Sequence, residues 1–326
     1  MAIRTLNWAA APTPRRILYI IGVVLVAGGL STLPAIVVSL MYGEGTTALH
    51  LGATALATAG SGGLIVLTSG RPERLGPKEA FAGVALAWVS VIAFGSIPYL
   101  LSGDLGFTDS MFESTAGFTT TGATTIGDLT DVARGLLFWR ATTQWLGGMG
   151  IIVLSIAVLP LVGAGGLQLV RAESPGPEPD RLTPRYQGTA VRLWGFYAIL
   201  TGAAAVVLAF GDMSLYEAVT HALTVVSTGG FGTESTSIGG FSAYTQWVIT
   251  VFMVIGASSF VLHIRALRDP GEYRKKPQFR YYLVSLLAGV LLIVIGLFLE
   301  GTGVPVRESV FSGVSRIRGT GWCGWG

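Results

Sequence analysis

The sequence is poor in charge and in cysteine, and these shortages exclude most soluble classes of protein. Charged residues make up 12% of the 326 residues, whereas a soluble domain usually carries about 25%. The lone cysteine, Cys323, excludes a disulfide framework and a cysteine metal site. The three histidines, His50, His221 and His263, lie far apart and lack metal-ligand spacing. Hydrophobic residues instead make up 51%, with a mean hydropathy of +0.63, so much of the surface faces something other than water.

The apolar residues are collected in long blocks that have the length of membrane spans. A helix needs about 20 apolar residues to cross a bilayer core. The seven predicted spans are Ile17–Tyr42, Ala48–Thr68, Phe81–Leu101, Leu136–Val162, Leu193–Phe210, Trp247–Val261 with its flanks, and Tyr281–Leu299. They predict one polytopic helical bundle rather than separate soluble domains.

The basic residues are confined to every second connection between these spans. No Lys or Arg occurs between Glu79 and Ala133, or between Leu193 and Ile264, while the intervening connections are rich in both. Because cytoplasmic loops hold the excess of Lys and Arg, we predict a cytoplasmic N-terminus.

Two connections on the outer side, Ser102–Asp131 and Gly211–Gln246, are too apolar for free loops and too short in apolar length to cross. Such segments are typical of re-entrant loops. Each contains an S-x-x-E pair, Ser110/Glu113 and Ser214/Glu217, which predicts a capping box and the start of a short helix. We expect these helices to end near Gly117 and about Val225, the second being about one turn longer.

A run rich in threonine and glycine follows each short helix, at Thr119–Ala123 and Ser227–Gly232. A cation that loses its water needs several oxygens in exchange, and inward-facing carbonyls supply them. Glycine permits the required backbone angles, and β-branched threonine stiffens an extended chain. One such run is typical of an ordinary turn, but two copies on the outer side favour an ion path. Acidic residues at the outer mouth would attract cations; they are Asp104, Asp109, Asp128 and Asp131.

Three motifs near the fourth predicted span carry a family resemblance, namely Phe138–Val153, Leu159–Gln168 and Leu182–Arg185. With the two loops, they resemble the TrkH branch of the Trk/Ktr/HKT superfamily of potassium transporters, over nearly the whole chain to about Val310. The resemblance implies an all-α polytopic membrane protein. Its helix–pore loop–helix repeats are of potassium-channel type and follow two extra transmembrane helices. The implied division is 1–78 for the two extra helices, 79–170 for the first repeat, 171–192 for a cytoplasmic linker, 193–268 for the second repeat, 269–280 for a basic cytoplasmic loop and 281–326 for an incomplete third repeat.

The same resemblance implies which residues line a potassium filter. They are Thr120, Thr121, Gly122 and Ala123 in the first loop, Thr228, Gly229, Gly230 and Phe231 in the second, and Gly319, Thr320, Gly321 and Trp322 in the third. With glycine at position 122, this sequence resembles the potassium-selective members of the family, whereas serine at that position marks sodium-preferring relatives.

The family further implies a multi-pass homodimer in a bacterial or archaeal cytoplasmic (inner) membrane, with membrane lipid around it. K⁺ is the implied transported ion, without any cofactor. The implied partner is a cytosolic nucleotide-binding regulatory subunit of the TrkA type, and no nucleic acid is expected.

The third loop departs from the family pattern. Arg318 aligns beside the filter and Arg316 lies two residues earlier, and a fixed cation there would repel the permeant ion. No return helix or fourth repeat follows. We therefore expect a truncated or frame-shifted product that does not conduct alone, because a closed filter needs four loops.

Three other functions compete with potassium uptake. A substrate-binding secondary transporter would have inverted repeats and a site at the bilayer midplane, and a sodium-permeable relative would share the superfamily. An intramembrane serine protease would need Ser61 or Ser258 with His263. Ser258 and His263 are five residues apart on one predicted helix, so we expect no contact between nucleophile and base. The chain is not expected to be an enzyme.

The fourth span contains one charged residue, and two predicted spans contain groups of glycines. Arg140 is expected to set the potential near the pore, to pair with Asp109, Glu113 or Asp128, or to extend toward the outer interface. The glycines Gly147, Gly148, Gly150 and the stretch Gly60–Gly63 are expected to allow close helix contact, and His221 to pack or hydrogen-bond.

Overall fold

A computed structural model describes residues 14–71, 77–158, 183–299, 305–320 and 322. Within these ranges the regular structure is α-helical. The helices are α1 (Pro14–Leu30), α2 (Leu33–Met41), α3 (Gly45–Ser69), α4 (Pro77–Gly95), α5 (Ile97–Ser102), α6 (Phe107–Phe118), α7 (Arg134–Val158), α8 (Thr183–Ala209), α9 (Leu215–Val226), α10 (Ala243–Gly256), α11 (Phe260–Ala266), α12 (Glu272–Lys275), α13 (Pro277–Leu299) and α14 (Val306–Arg318).

Most of the predicted spans are found in the described residues. Five helical segments are long and apolar enough to cross a membrane: Pro14–Met41, Gly45–Ser69, Phe81–Ser102, Ala190–Ala209 and Pro277–Leu297. Helix α7 has 25 residues, which is roughly 37 Å and therefore also long enough. The first span is broken after Leu30, just before Pro34, which stands at the start of α2 because proline is tolerated in a first helical turn.

The two N-terminal spans pack closely through glycine. A Cβ on Gly62 would lie 2.7 Å from the carbonyl oxygen of Gly22, and one on Gly29 would lie 2.6 Å from the backbone nitrogen of Ala59. Only glycine allows these backbones to approach so closely. Within the predicted packing stretch, Gly60 and Gly63 have nothing within 4 Å, so Gly62 alone makes the tight contact.

Two successive units have the same plan of span, short helix, extended run and span. The first contains α4 with α5, then α6 and α7; the second contains α8, α9 and α10. A third begins with α13 and α14. The short helices α6 and α9 each have 12 residues, so the prediction that the second is a turn longer is wrong.

The two predicted capping boxes have opposite outcomes. Ser214 and Glu217 form one at the start of α9, where each side chain accepts a backbone N–H of the other residue. Ser110 and Glu113 do not, because α6 already begins at Phe107 and both residues lie buried inside it. Glu113 instead pairs with Arg140 on the next span.

The sixth predicted span is not straight. Helix α10 ends at Gly256, and α11 leaves it at an angle of 98°. The hydroxyl of Ser258 donates to the carbonyl oxygen of Ile255 at 2.8 Å, a local bond that competes with helix continuation. A Cβ on Gly256 would lie 2.9 Å from the carbonyl oxygen of Val226, so α10 ends tightly against the end of α9.

This bend overturns the prediction that Ser258 and His263 do not meet. Ser258 Oγ lies 2.6 Å from His263 Nε2, because the chain turns between them. His263 Nδ1 lies 2.8 Å from the hydroxyl of Tyr273, and its Nε2 also lies 3.1 Å from the carbonyl oxygen of Ile255. Since Ser258 donates its own proton to Ile255, the geometry is that of a polar contact at the bend and not of a base that activates a nucleophile.

Candidate functional site

Three short helices end in the same backbone turn, although their sequences differ. In each, the N–H that directly follows a residue with left-handed backbone bonds a carbonyl five residues earlier, the pattern of a Schellman motif. These bonds run from Thr121 N to Ala116 O (2.9 Å), from Gly229 N to Thr224 O (2.8 Å) and from Thr320 N to Ser315 O (3.0 Å). The same turn therefore starts each of the three predicted filter segments.

The residue inside each turn has a left-handed backbone. These residues are Thr120, Thr228 and Gly319, with φ of 55°, 56° and 68°. For a β-branched residue this conformation is rare, and such strain, about 1–3 kcal/mol per residue, is concentrated at functional sites. Thr120 and Thr228 therefore adopt a backbone conformation that threonine disfavours, and the surrounding structure must stabilise it in the first two segments.

The backbones of the three segments meet at one place. A Cβ on Gly122 would lie 3.0 Å from the carbonyl oxygen of Thr320 and closer still to that of Gly229. One on Gly230 would overlap the carbonyl oxygen of Thr320. Both glycines have positive φ, 72° and 89°. The main chains of three separate loops thus meet at a common point, where carbonyl oxygens of the second and third segments lie against Gly122, and glycine leaves room for them.

The other predicted filter residues lie around this point with different exposures. Thr121 and Ala123 are exposed, while Phe231 and Trp322 are buried. The hydroxyl of Thr121 lies 2.8 Å from that of Thr119. Gly321 lies outside the described residues.

A buried ion pair lies behind the first segment. Arg140 Nε on α7 lies 3.1 Å from Glu113 Oε2 on α6, and the side chains are 1% and 0% exposed. The other oxygen of Glu113 accepts from the Thr124 hydroxyl at 2.5 Å and from the Thr125 N–H at 2.7 Å. Of the options predicted for Arg140, pairing with Glu113 is the one realised.

Arg140 also contacts the second segment. Its guanidinium lies 4.1 Å from the centre of the Phe231 ring, a cation–π distance, and its Nη2 donates to the Thr124 hydroxyl at 3.0 Å. One arginine therefore connects two loops that are about a hundred residues apart in sequence. The sequence indicates these contacts of Arg140 only by a single charge in an otherwise apolar span, because a charge inside a membrane span needs a partner.

Gln144, one helical turn beyond Arg140, was not predicted as a site residue. It is fully buried, and its Oε1 accepts the N–H of Phe231 at 3.0 Å. A Cβ on Gly229 would collide with this side chain. Gln144 therefore fixes the backbone of the second segment from the first repeat, and its polar side chain inside a span is the signal that sequence reasoning overlooked.

We expect Gln144→Leu to destabilise the second segment. It leaves the buried N–H of Phe231 without an acceptor, which costs about 1–3 kcal/mol. Thermal unfolding in detergent measures this loss. Thr142→Val is the control, since that hydroxyl donates only to Phe138 O within its own helix. Equal stability of the two variants would contradict the assigned role.

The glycines of α7 make the close contacts that were predicted. A Cβ on Gly147 would overlap the Phe118 carbonyl at the end of α6. On Gly148 it would lie 3.0 Å from Ser227 Cβ, and on Gly150 2.7 Å from the Trp88 ring. Helix α7 thereby touches the ends of both short helices.

The two loops are joined at Asp128. Its Oδ1 accepts from Thr130 N–H and from the hydroxyls of Thr130 and Ser235, the last at 2.8 Å. These bonds, first those of Thr130 and then that of Ser235, lower the pKa of Asp128 to about 2. It is therefore charged above about pH 4, as expected for a residue at a cation-attracting mouth.

Two further predicted residues are partly located. His221 is buried, its Nδ1 lies 2.8 Å from Glu217 O, and its ring packs edge-on against Phe241, as predicted. Arg316 is exposed on the last turn of α14. The side chain of Arg318 lies outside what the structure describes, so its repulsion of a permeant ion stays a prediction.

Repeated units of span, short helix, extended run and span define a membrane protein of the pore-loop, potassium-channel-like class. Comparison with known proteins identifies the particular family. The family model of the TrkH cation transport proteins matches residues 52–297, and the chain belongs to this family. The family is one of transporters and not of enzymes, and its members lie in the inner membrane.

Individual relatives support the same assignment. The chain is 37% identical to the Trk system potassium uptake protein TrkH of Halomonas elongata over 311 residues, which is 92% of the chain and 64% of that protein. It is 41% identical to the protein of the same name from Escherichia coli K12 over 212 residues, 63% of the chain and 44% of the relative. The crystal structure of the potassium transporter TrkH from Vibrio parahaemolyticus superposes with a TM-score of 0.84 at 30% identity, covering 96% of the chain and 66% of that structure. The chain thus spans less than two thirds of the length of these relatives.

Proposed function

We propose that the chain takes part in potassium uptake across the cytoplasmic membrane, and that its three loop segments supply backbone oxygens to a K⁺ selectivity filter. The observation that carries this proposal is the meeting of the main chains of Gly122, Gly229, Gly230 and Thr320 at one point. Carbonyl oxygens around such a point replace the hydration shell of a monovalent cation. The relatives named for potassium uptake support the choice of ion.

The assigned filter residues are Thr120, Thr121, Gly122, Ala123, Thr228, Gly229, Gly230, Phe231, Gly319, Thr320 and Gly321. By the family resemblance, glycine at position 122 supports selectivity for K⁺ over Na⁺. Because Gly122 has a positive φ and no Cβ, the neighbouring carbonyl groups can stay in place. The sodium-permeable alternative would be favoured by serine at this position, where this sequence has glycine.

The surroundings of the filter belong to the same proposal. The whole transporter is a homodimer that works with a cytosolic nucleotide-binding subunit of the TrkA type, has a cytoplasmic N-terminus and has no enzymatic activity. The alternation of basic connections supports the orientation. Two repeats of the same plan and the family match speak against a substrate-binding secondary transporter with inverted repeats.

Growth at low potassium tests the proposal. The full-length gene to which this chain belongs, expressed together with its regulatory partner in a bacterium lacking its own potassium-uptake systems, should restore growth and Rb⁺ uptake that K⁺ inhibits and Na⁺ does not. Gly122→Ser should weaken the preference for K⁺. Growth that ignores this substitution would count against the filter assignment.

A further inference from the structure

A polar cavity lies at the bend of the sixth span, away from the filter. Its volume is about 370 Å³, within the range of small-ligand pockets. It lies between the end of α10, helix α11 and the start of α13, and its polar lining includes Ser258, Ser259, Arg265, Lys276 and Gln278. The cavity lies at the bend itself, since Ser258 and Ser259, which join α10 to α11, are part of its lining.

The two basic side chains in the cavity are not neutralised. Among the residues that the structure describes, no ion pair includes Arg265 or Lys276. The nearby acidic residues Asp269 and Glu272 both pair with Lys275 instead, at 2.5 Å and 3.5 Å. Lys276 is half-buried, so its charge lies partly inside the protein without a counter-charge. The cavity is therefore suited to an anion.

The remaining lining has the character of a membrane interface. Val261, Leu262 and Phe279 provide an apolar wall beside the polar groups. The hydroxyl of Tyr282 donates to the carbonyl oxygen of Val254 at 3.1 Å, which anchors α13 to the last turn of α10. The cavity thus lies at the ends of two spans, where the sequence places the cytoplasmic face. A ligand here would meet positive charge and hydroxyls at one end and apolar side chains at the other.

We propose that this cavity holds the headgroup of an anionic phospholipid. The phosphodiester accepts charge-assisted hydrogen bonds from Arg265 and Lys276, and the glycerol end of the lipid lies along Val261 and Phe279. Anionic lipids attract basic groups at the cytoplasmic leaflet, and basic pockets between spans bind such headgroups. This proposal concerns lipid binding only, and it does not depend on whether the chain conducts ions.

Native mass spectrometry of the detergent-solubilised chain tests the proposal. Phosphatidylglycerol should be retained more tightly than zwitterionic phosphatidylcholine. The double variant Arg265→Gln/Lys276→Gln should bind phosphatidylglycerol about 30-fold more weakly, since each basic group near the membrane contributes about a factor of five. Lys276→Arg should retain binding because it keeps the charge.

The matched control is Arg268→Gln/Arg274→Gln. It removes the same charge from two exposed residues of the same connection that do not line the cavity, and it should leave the affinity unchanged. Equal weakening in both double variants would overturn the proposal in favour of a diffuse basic surface. Equal retention of the two lipids, or release of phosphatidylglycerol by millimolar inorganic phosphate, would also overturn it.

Discussion

Replacing Gly122 with alanine should reduce potassium uptake by about tenfold or more, with the protein still present in the membrane. The new Cβ would be forced against the carbonyl oxygens of Gly229 and Thr320. It would also require a left-handed conformation that costs an L-residue about 1–2 kcal/mol. Relief of the clash moves the oxygens assigned to the filter, and about 1.4 kcal/mol added to the transport barrier already corresponds to a tenfold loss of rate.

Initial rates of Rb⁺ uptake in cells that express the full-length gene, normalised to the amount of protein in the membrane, measure this effect. Gly127→Ala is the matched control. It lies in the same loop, has no positive φ, and a Cβ there would meet nothing within 4 Å. Uptake by Gly122→Ala at the rate of the control would mean that this glycine does not lie on the ion path.

Removing either partner of the Arg140–Glu113 pair should destabilise the chain by about 3–5 kcal/mol, because the remaining charge is then buried without compensation. Arg140→Met leaves the Glu113 carboxylate with only Thr124 and Thr125 as donors. It also removes the cation from the Phe231 ring. Both loops should therefore loosen, and stability and uptake should fall together.

Thermal or denaturant unfolding of Arg140→Met, Glu113→Gln and the double variant measures the coupling. The double variant should lose less than the sum of the single losses, because it leaves no lone buried charge. Asp109→Asn, one turn earlier on α6 and in no ion pair within the described residues, should change stability by no more than about 0.5 kcal/mol. Additive losses in the cycle would contradict direct coupling.

Sequence patterns predicted the parts of the fold that depend on local composition. The spans follow from apolar length, and the box at Ser214 and Glu217 follows from a motif whose residues cap their own helix. The identical pattern at Ser110 failed because Glu113 is bound by a residue 27 positions away. A motif of four residues does not record that contact.

The sequence predicted which segments form the candidate site, but not how their residues contact one another. The threonine and glycine runs marked the loops, and the family resemblance gave their alignment. The contact of Gln144 with the N–H of Phe231 depends on how two repeats pack. The bend at Ser258, which brings that residue to His263, depends on α10 ending against α9. Both arise from tertiary packing, which local periodicity does not contain.

Anomalous scattering from crystals of the protein grown in thallium is the most direct test of the central claim, since Tl⁺ substitutes for K⁺. We expect a thallium peak between the carbonyl oxygens of Gly122, Gly229 and Thr320, lost in Gly122→Ala. Thallium bound elsewhere, with these oxygens turned away from one another, would contradict the account.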